Sequence, residues 1–242
     1  RIIKYRSKSK FGKVKVKYTR DKIGRLNIKA ECLGEKETLT TQSFMKGDAK
    51  SVLCKNIYYD LDVVNSHPAM LRQIFTEKGY NIPTINYYVD NRDDFIKKLE
   101  KEENLNRDMV KELIISIFYG GAVDSFKNKH NIETLPLIFT QLERELKSNR
   151  KLLLDLEENQ IYRSKAIEEK GYDYYNIDGT ALSYLLQTHE CNVLMIMYKY
   201  ITSRKGGEES IGALIHDGLH LEIGFLDGYG KDKLILELEK EI

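Results

Sequence analysis

Several features that mark particular classes of protein are scarce in this 242-residue sequence or missing from it. The three cysteines (Cys32, Cys54 and Cys191) are an odd number with no pair at metal-ligand spacing, which favours a reduced, intracellular setting. No apolar run approaches the ~18 residues of a membrane span and no signal peptide is recognisable, so we expect no membrane contact. Only three prolines are present, which favours long helices and strands over linkers. The first residue is Arg1 rather than methionine, which predicts a processed or trimmed chain.

The charge of the chain is concentrated at its beginning. Hydrophobic residues make up 41% and charged residues 31%, as in ordinary soluble globular proteins, and the net charge is only +2. Residues 1–29, however, contain twelve basic residues and one acidic residue, Asp21, so this stretch alone carries +11. Such a one-sided segment indicates a surface that faces a polyanion.

Part of this basic stretch has the pattern of a two-stranded ribbon. Residues Lys13–Tyr18 alternate lysine with apolar residues, which predicts a strand with one charged face, and Leu26–Lys29 predicts a second strand after a turn at Gly24. The ribbon either lies along a phosphate backbone or is an edge hairpin whose lysines prevent aggregation. The candidate nucleic-acid contacts are Lys13, Lys15, Lys17 and Arg25.

Two aspartates lie two residues apart in a short run rich in β-branched and aromatic residues. Asp60 and Asp62 would share one face of a buried strand, where ionised carboxylates cost several kcal/mol unless a metal or partner compensates. Ser66 and Pro68 then predict the start of a helix. We expect Asp62 to hold a metal ion. Asp60 either joins that metal or is solvated at the strand end.

Residues 107–121 predict a helix that ends at a pair of glycines. Arg107, Lys111, Ile115 and Tyr119 recur every four residues and form a stripe along one side of that helix. Two cations, an apolar patch and a phenol in that order can hold a triphosphate at one end and a base at the other.

A second acid lies between two strand-like halves in residues 211–223. The Asp217-Gly218 pair is a hairpin-turn signal, so Asp217 should lie at a tight turn between two sheet strands. His220 either pairs with Glu222 or faces nucleic acid.

The other segments give a mainly helical pattern. We expect helices in 92–103, 180–201 and 231–242, and one or two in 134–163 with Leu152, Leu153 and Leu154 in the core. Residues 81–91 should be irregular, and 171–179 should be an aromatic, polar loop.

Three of these segments, in this order, resemble motifs A, B and C of family A DNA polymerases and their single-subunit RNA polymerase relatives. Asp62 matches motif A. The spacing of Arg107, Lys111 and Tyr119-Gly120 matches motif B, and His216-Asp217 matches motif C. Gln187 resembles the glutamine that this family carries before motif C. The resemblance covers roughly residues 25–223.

The resemblance implies an α+β fold: a polymerase palm, formed by a small antiparallel sheet with helices, and inserted helical fingers. Residues 57–80 and 176–242 would form the palm and 81–175 the fingers. Residues 1–56 would be a basic ribbon and connection that is either thumb-like or nucleic-acid-contacting. The chain is too short to include a proofreading exonuclease.

The implied function is template-directed nucleotidyl transfer to a primer 3′-hydroxyl, as by a DNA polymerase, with two Mg²⁺ ions that Mn²⁺ could replace. Asp62 and Asp217 would be the metal ligands, and Asp60 would be either a third ligand or a solvated carboxylate. Lys111 would act in catalysis and, with Arg107, Tyr119 and His67, bind the nucleotide. Gln187 and His216 would contact nucleic acid. The partners would be template-primer DNA or RNA, nucleoside triphosphates and a replication protein, in the cytoplasm or in the host cell of a virus or mobile element.

Some residues depart from the family pattern and keep other functions open. Ile115 replaces an aromatic residue, Gly218 replaces a glutamate, and His67 occupies the position of a glutamate that excludes ribonucleotides. The alternatives are a catalytically degenerate palm that binds nucleic acid within a replication complex, an RNA polymerase or primase, and a metal-dependent phosphoesterase.

Overall fold

The computed structural model of the chain describes residues 17–20, 23–28, 54–102 and 105–242. In these ranges the protein is α+β and mostly helical, with a small three-stranded antiparallel sheet, which confirms the α+β part of the predicted fold class. None of the described helices is both long enough and apolar enough to cross a membrane. The strands are β1 (Tyr18–Arg20), β2 (Leu26–Ile28), β3 (Tyr58–Asp62), β4 (Ile211–Ile215) and β5 (Gly218–Glu222).

The helices follow the apolar periodicity of the sequence. In chain order they are α1 (Ser66–Glu77), α2 (Pro83–Asp90), α3 (Arg92–Glu102), α4 (Arg107–Phe118), α5 (Val123–His130), α6 (Leu137–Asp155), α7 (Gln160–Lys170), α8 (Ile177–Thr202), α9 (Gly207–Ser210), α10 (Ile223–Tyr229) and α11 (Lys231–Glu241). A short 3₁₀ turn, Glu157–Asn159, separates α6 from α7.

The chain divides into two units. Unit 1 contains the described residues of 1–63 together with 188–242, and unit 2 contains 64–187. The palm predicted over 57–80 and 176–242 overlaps unit 1, except that residues 64–80 and 176–187 group with unit 2. The predicted domain boundaries stay a prediction.

Unit 1 is built around the sheet, whose strand order is β3-β5-β4. The central strand β5 pairs antiparallel with both neighbours, and its leucines, Leu219 and Leu221, are fully buried. They pack with apolar residues of α8, α10 and α11. The other buried members of this core are Leu194, Met197, Ile201, Leu214, Leu226, Leu234 and Leu238.

The prediction that β3 is a buried strand is wrong. Among the described strands β3 lies at an edge of the sheet, and both Asp60 and Asp62 are exposed. Ile57 and Tyr59 also expose 50% and 36% of their surface. The carboxylates therefore face water, and no desolvation cost forces them to bind a metal.

Unit 2 is helical, and its interior is filled by apolar side chains from several of its helices. The largest fully buried ones are Leu71, Phe75, Ile85, Ile96, Leu113, Ile117, Phe118, Phe139, Leu142, Leu146 and Leu153. Leu154 is buried as expected, but Leu152 is 53% exposed because it lies on the outer face of α6.

Residues 81–91 are not irregular as predicted, because most of them form α2. Pro83 opens this helix, and the carboxylate of Glu145 on α6 accepts hydrogen bonds from the amides of Thr84 and Ile85 at 2.9 and 2.8 Å. A carboxylate placed at the amide end of a helix satisfies groups that have no partner within the helix. This distant cap explains why a local pattern did not reveal the helix.

Candidate nucleic-acid interface

The predicted stripe of side chains lies on α4 of unit 2. The Asn106 side chain caps the helix by accepting a hydrogen bond from the Met109 amide at 2.9 Å. The opposite face of α4 is buried through Val110, Leu113, Ile114, Ile117 and Phe118. Burial of that face turns Arg107, Lys111, Ile115 and Tyr119 outward, and we call these four residues the α4 stripe.

The cations of the α4 stripe are available to an anionic ligand. The Arg107 side chain is 42% exposed, and its guanidinium lies 3.8 Å from Asp93 and 3.9 Å from Glu100, which are long ion-pair distances. Lys111 is half-buried and forms no ion pair with any carboxylate that the structure describes. Surface ion pairs of this kind contribute only ~0–1 kcal/mol, so a phosphate could displace the acids from Arg107.

The apolar part of the α4 stripe combines an exposed aliphatic side chain with an oriented phenol. Ile115 is 58% exposed. The Tyr119 hydroxyl is hydrogen-bonded to Nδ1 of His67 on α1, and the two rings are nearly perpendicular at a centroid distance of 5.9 Å. His67, which the sequence placed near the nucleotide, therefore lies at the Tyr119 end of the stripe and holds the phenol in one orientation.

Close packing fixes the backbone just beyond Tyr119. Gly120 has φ of +86°, and a Cβ there would lie 2.6 Å from both Arg150 Nη1 and Asn176 Oδ1. The Asn176 side chain donates to the Tyr119 carbonyl at 2.8 Å and accepts from the Gly179 amide at 3.1 Å. Burial lowers the pKa of the Arg150 guanidinium. The end of α4 and the start of α8 are thus joined through one asparagine.

The segment before Asn176 contains residues that the sequence did not assign to the site. Tyr172 and Tyr175 are 81% and 89% exposed, the highest values among the large apolar side chains described. The Tyr174 and Tyr175 rings are in contact at a centroid distance of 4.7 Å, and a hydrogen bond with Tyr174 raises the pKa of Tyr175. The sequence shows three tyrosines within four residues, and their exposure in the structure identifies Tyr172 and Tyr175 as surface groups.

In unit 1 the two predicted acids lie at the same end of the sheet. Asp62 pairs with Gly218, and the Val63 amide donates to the Asp217 carbonyl at 3.2 Å. The turn consists of His216, with φ of +31°, and Asp217, so Gly218 begins β5 instead of occupying the turn. Glycine is needed at 218 because a Cβ would overlap Asp62 Oδ1 and the Leu61 carbonyl oxygen. His216 is exposed at this turn.

Asp60 faces a histidine of the neighbouring strand. His220 is buried, its Nε2 lies 3.6 Å from Asp60 Oδ1, and its ring stacks on Tyr58 at a centroid distance of 5.7 Å. This contact places Asp60 beside an imidazole. Both alternatives for Asp60, a metal ligand or a solvated carboxylate, stay predictions.

Asp62 and Asp217 are the acids that this end of the sheet could offer to a cation. Within the part of the chain that the structure describes, no group of three His, Cys, Asp or Glu side chains could hold a metal ion. Asp62 and Asp217 alone offer two carboxylates, which fits Mg²⁺ only if water or phosphate oxygens complete its shell.

The β1–β2 hairpin is anchored to unit 1 by polar contacts with α8. The Arg20 guanidinium donates to Asn192 Oδ1 at 2.6 Å, and the Gly24 amide donates to Thr188 Oγ1 at 2.9 Å. Tyr18 packs on the core, its hydroxyl accepts from the Leu214 amide at 3.2 Å, and burial raises the pKa of its phenol. The end of the basic stretch therefore has a fixed position in unit 1.

One predicted phosphate contact already has a partner within the protein. Arg25 Nε donates to Glu190 Oε2 at 2.7 Å, and the Glu190 side chain is only 3% exposed. Arg25 therefore neutralises a buried carboxylate. Lys17 is exposed, whereas Lys13 and Lys15 lie outside the described residues. Gln187, in unit 2, donates to Ser183 Oγ at 2.8 Å, and its predicted contact with nucleic acid stays a prediction.

No protein-family model matches the chain, and no solved structure matches it. Among curated proteins, it is similar to one named "Putative helicase V13" from Sputnik virophage, with 27% identity over 189 residues. The match covers 74% of this chain and 22% of that protein, so the chain spans about a fifth of the relative's length.

This match corrects the predicted activity. The relative is named as a helicase, which is a different type of enzyme from a DNA polymerase, so the prediction of template-directed nucleotidyl transfer is contradicted. The resemblance to family A polymerases has no support from a family or a solved structure and stays a prediction.

Proposed function

We propose that this chain is a nucleic-acid-binding part of a helicase-like protein. The name of the virophage relative supports this, because the similarity covers 74% of the chain. The charge of +11 in residues 1–29 supports a polyanionic partner. The observation that carries the proposal is the α4 stripe, in which the partly exposed cations Arg107 and Lys111 lie along one side of a helix with exposed Ile115. An intracellular location and a partner protein remain part of this proposal.

The α4 stripe provides the two kinds of contact that a nucleic-acid strand needs. Lys111 and Arg107 would contact phosphates, which supplies affinity without base specificity. Ile115 and the oriented ring of Tyr119 would cover the apolar faces of a base or sugar. Because the side chains lie along one helix, a strand parallel to α4 would meet the cations first and the aromatic end next.

Strand separation itself is not assigned to these 242 residues. They contain no G-x-x-x-x-G-K-[ST] run, the P-loop sequence that cradles nucleotide phosphates in many nucleotide hydrolases. Nucleic-acid binding is therefore the part of a helicase-like activity for which this chain has suitable residues.

We infer a palm-like arrangement for the sheet of unit 1, with one divalent cation as its proposed ligand. Asp62 and Asp217 would hold Mg²⁺ or Mn²⁺, and phosphate oxygens would complete the shell. The cation would neutralise the two carboxylates and so allow a phosphate to approach this end of the sheet. The support for this inference is the pairing of Asp62 with Gly218, which brings the acids to neighbouring positions.

Fluorescence anisotropy with short labelled oligonucleotides, at a series of salt concentrations, tests the proposal. We expect binding that weakens as salt rises, because cations on phosphates release counterions. Lys111→Ala should lower affinity and reduce the slope of log K against log salt by about 0.7–0.9, the value for one lost phosphate contact.

Lys147→Ala is the matched control, because Lys147 is a lysine on another helix of unit 2 and lies outside the α4 stripe. This variant should bind as the wild type does. The proposal is wrong if the wild type binds no oligonucleotide, or if Lys111→Ala and Lys147→Ala have the same affinity and the same salt slope.

A further inference from the structure

We propose that the segment Gly171–Asn176, between α7 and α8, stacks on unpaired bases, which makes single-stranded nucleic acid the preferred ligand of this protein. The inference rests on the proposed function and specifies its ligand. It concerns residues that lie outside the α4 stripe and that no comparison assigns to a site. We call this segment the tyrosine loop.

The exposure of the tyrosine loop is the first observation. Tyr172 and Tyr175 leave 81% and 89% of their surface in water. A tyrosine can bury roughly 150–250 Å² when it is covered, so two exposed rings in one short loop present a large apolar area. The Tyr174 ring, which is half-buried, supports Tyr175 from the side at a centroid distance of 4.7 Å.

The fixed position of the tyrosine loop is the second observation. Its last residue, Asn176, donates to the Tyr119 carbonyl at 2.8 Å and caps the start of α8 through the Gly179 amide. The Asn176 carbonyl also accepts from Thr180 Oγ1 at 3.0 Å. No side chain fits at 179, because a Cβ would overlap the Tyr119 carbonyl oxygen. The last residue of the tyrosine loop therefore contacts the end of the α4 stripe, and both belong to unit 2.

The distribution of charge indicates which ligand would cover these rings. The tyrosine loop has no lysine or arginine and includes Asp173, so it offers nothing to phosphates, whereas the neighbouring α4 stripe contains Lys111 and Arg107. A ligand with phosphates on one part and flat apolar groups on another fits both surfaces. In a duplex the base faces are covered by neighbouring base pairs, so only an unpaired strand can place a base on a tyrosine ring.

The first test compares affinities for single-stranded and duplex oligonucleotides of the same sequence. Tyr175→Ala should weaken single-strand binding about 5- to 150-fold, the range that corresponds to loss of one base–aromatic stack, and Tyr172→Ala should act in the same direction. Tyr175→Phe, which keeps the ring, should recover most of the affinity that Tyr175→Ala loses. Tyr87→Ala is the control, since Tyr87 is a 47% exposed tyrosine on α2 of the same unit.

The salt dependence separates stacking from a general loss of binding. Tyr175→Ala should leave the slope of log K against log salt unchanged, because no phosphate contact is lost. Lys111→Ala should reduce that slope. A merely structural role for Tyr175 would lower the slope and the affinity together.

A second test uses the absence of tryptophan from the sequence. Tyr175→Trp introduces a single tryptophan that keeps a stacking ring, and its emission should be quenched by single-stranded oligonucleotide and not by duplex. Tyr87→Trp should show no quenching with either ligand.

The outcomes distinguish this inference from the proposed function. If no oligonucleotide binds, the proposed function fails and the inference fails with it. If oligonucleotides bind with a salt slope that depends on Lys111, but the tyrosine variants bind as the wild type, the inference alone is overturned. It is also overturned if the Tyr175→Trp emission responds only to an added protein partner.

Discussion

Replacing Gly218 by alanine should destabilise the end of the sheet at which Asp62 and Asp217 lie. The new Cβ would overlap Asp62 Oδ1 and the Leu61 carbonyl oxygen, and it would lie 2.9 Å from Asp62 Cα. Carbon atoms pack favourably at ~3.5–4.0 Å, so β3 and β5 would have to separate by more than about 0.5 Å. The Asp62 side chain is exposed and can rotate away, but the Leu61 carbonyl and Asp62 Cα belong to the backbone and cannot.

The expected loss of stability follows from this overlap. Overpacking of a well-packed contact costs typically ~1–3 kcal/mol, and weakening one ladder hydrogen bond adds ~0.5–1.5 kcal/mol. We therefore expect Gly218→Ala to lower the free energy of unfolding by about 2–3 kcal/mol. Urea denaturation followed by circular dichroism measures this value. Amide hydrogen exchange at Leu61 and Leu219 locates the change in the sheet.

Gly228→Ala is the matched control, because Gly228 lies in α10 of unit 1 and no heavy atom approaches within 4 Å of its missing Cβ. Alanine there should leave stability unchanged or raise it by up to ~1 kcal/mol, since alanine has the higher helix propensity. A Gly218→Ala protein as stable as the Gly228→Ala protein would refute the reasoning about strand approach.

Three further predictions concern other contacts. A hydrogen bond to Glu237 is the main cause that raises the pKa of Tyr200 to about 12. In Glu237→Gln protein this pKa should fall toward its ordinary ~10, which NMR titration of ring-labelled tyrosine measures. In the wild type this bond contributes stability below pH ~10 that is lost as pH rises through about 12. Glu190→Ala should lower the free energy of unfolding in urea denaturation by about 1–2 kcal/mol, because half-exposed Arg25 loses its anchor. Gly179→Ala should weaken single-strand binding in anisotropy, because it displaces the tyrosine loop.

Much of the fold could be predicted because its signals are local. Helix α4 has regular apolar spacing and a glycine pair at its end, and β4 and β5 flank an obvious turn signal. Helix α2 was missed because its cap, Glu145, lies about 60 residues away in the sequence. The edge position of β3 was not predicted because strand order depends on pairing between distant segments. A five-residue strand has the same local sequence pattern at the edge of a sheet as in its centre.

The candidate site was predictable only where its geometry follows from one helix or one hairpin. The α4 stripe is a property of helical periodicity, so the sequence identified all four of its members. The pairing of Arg25 with Glu190 and the exposure of Tyr172 and Tyr175 depend on packing between distant segments. The prediction of polymerase activity was wrong. It was inferred from a few spaced motifs, and their cations and carboxylates also suit many other proteins that bind nucleic acid.

The central claim, that this chain binds nucleic acid through the α4 stripe, is tested most directly by the salt dependence of single-stranded oligonucleotide binding. We predict that affinity falls as salt rises from about 50 to 200 mM. Lys111→Ala should lower both the affinity and the slope of log K against log salt, and Lys147→Ala should change neither. Binding that is absent, or that is identical in the two lysine variants, would contradict it.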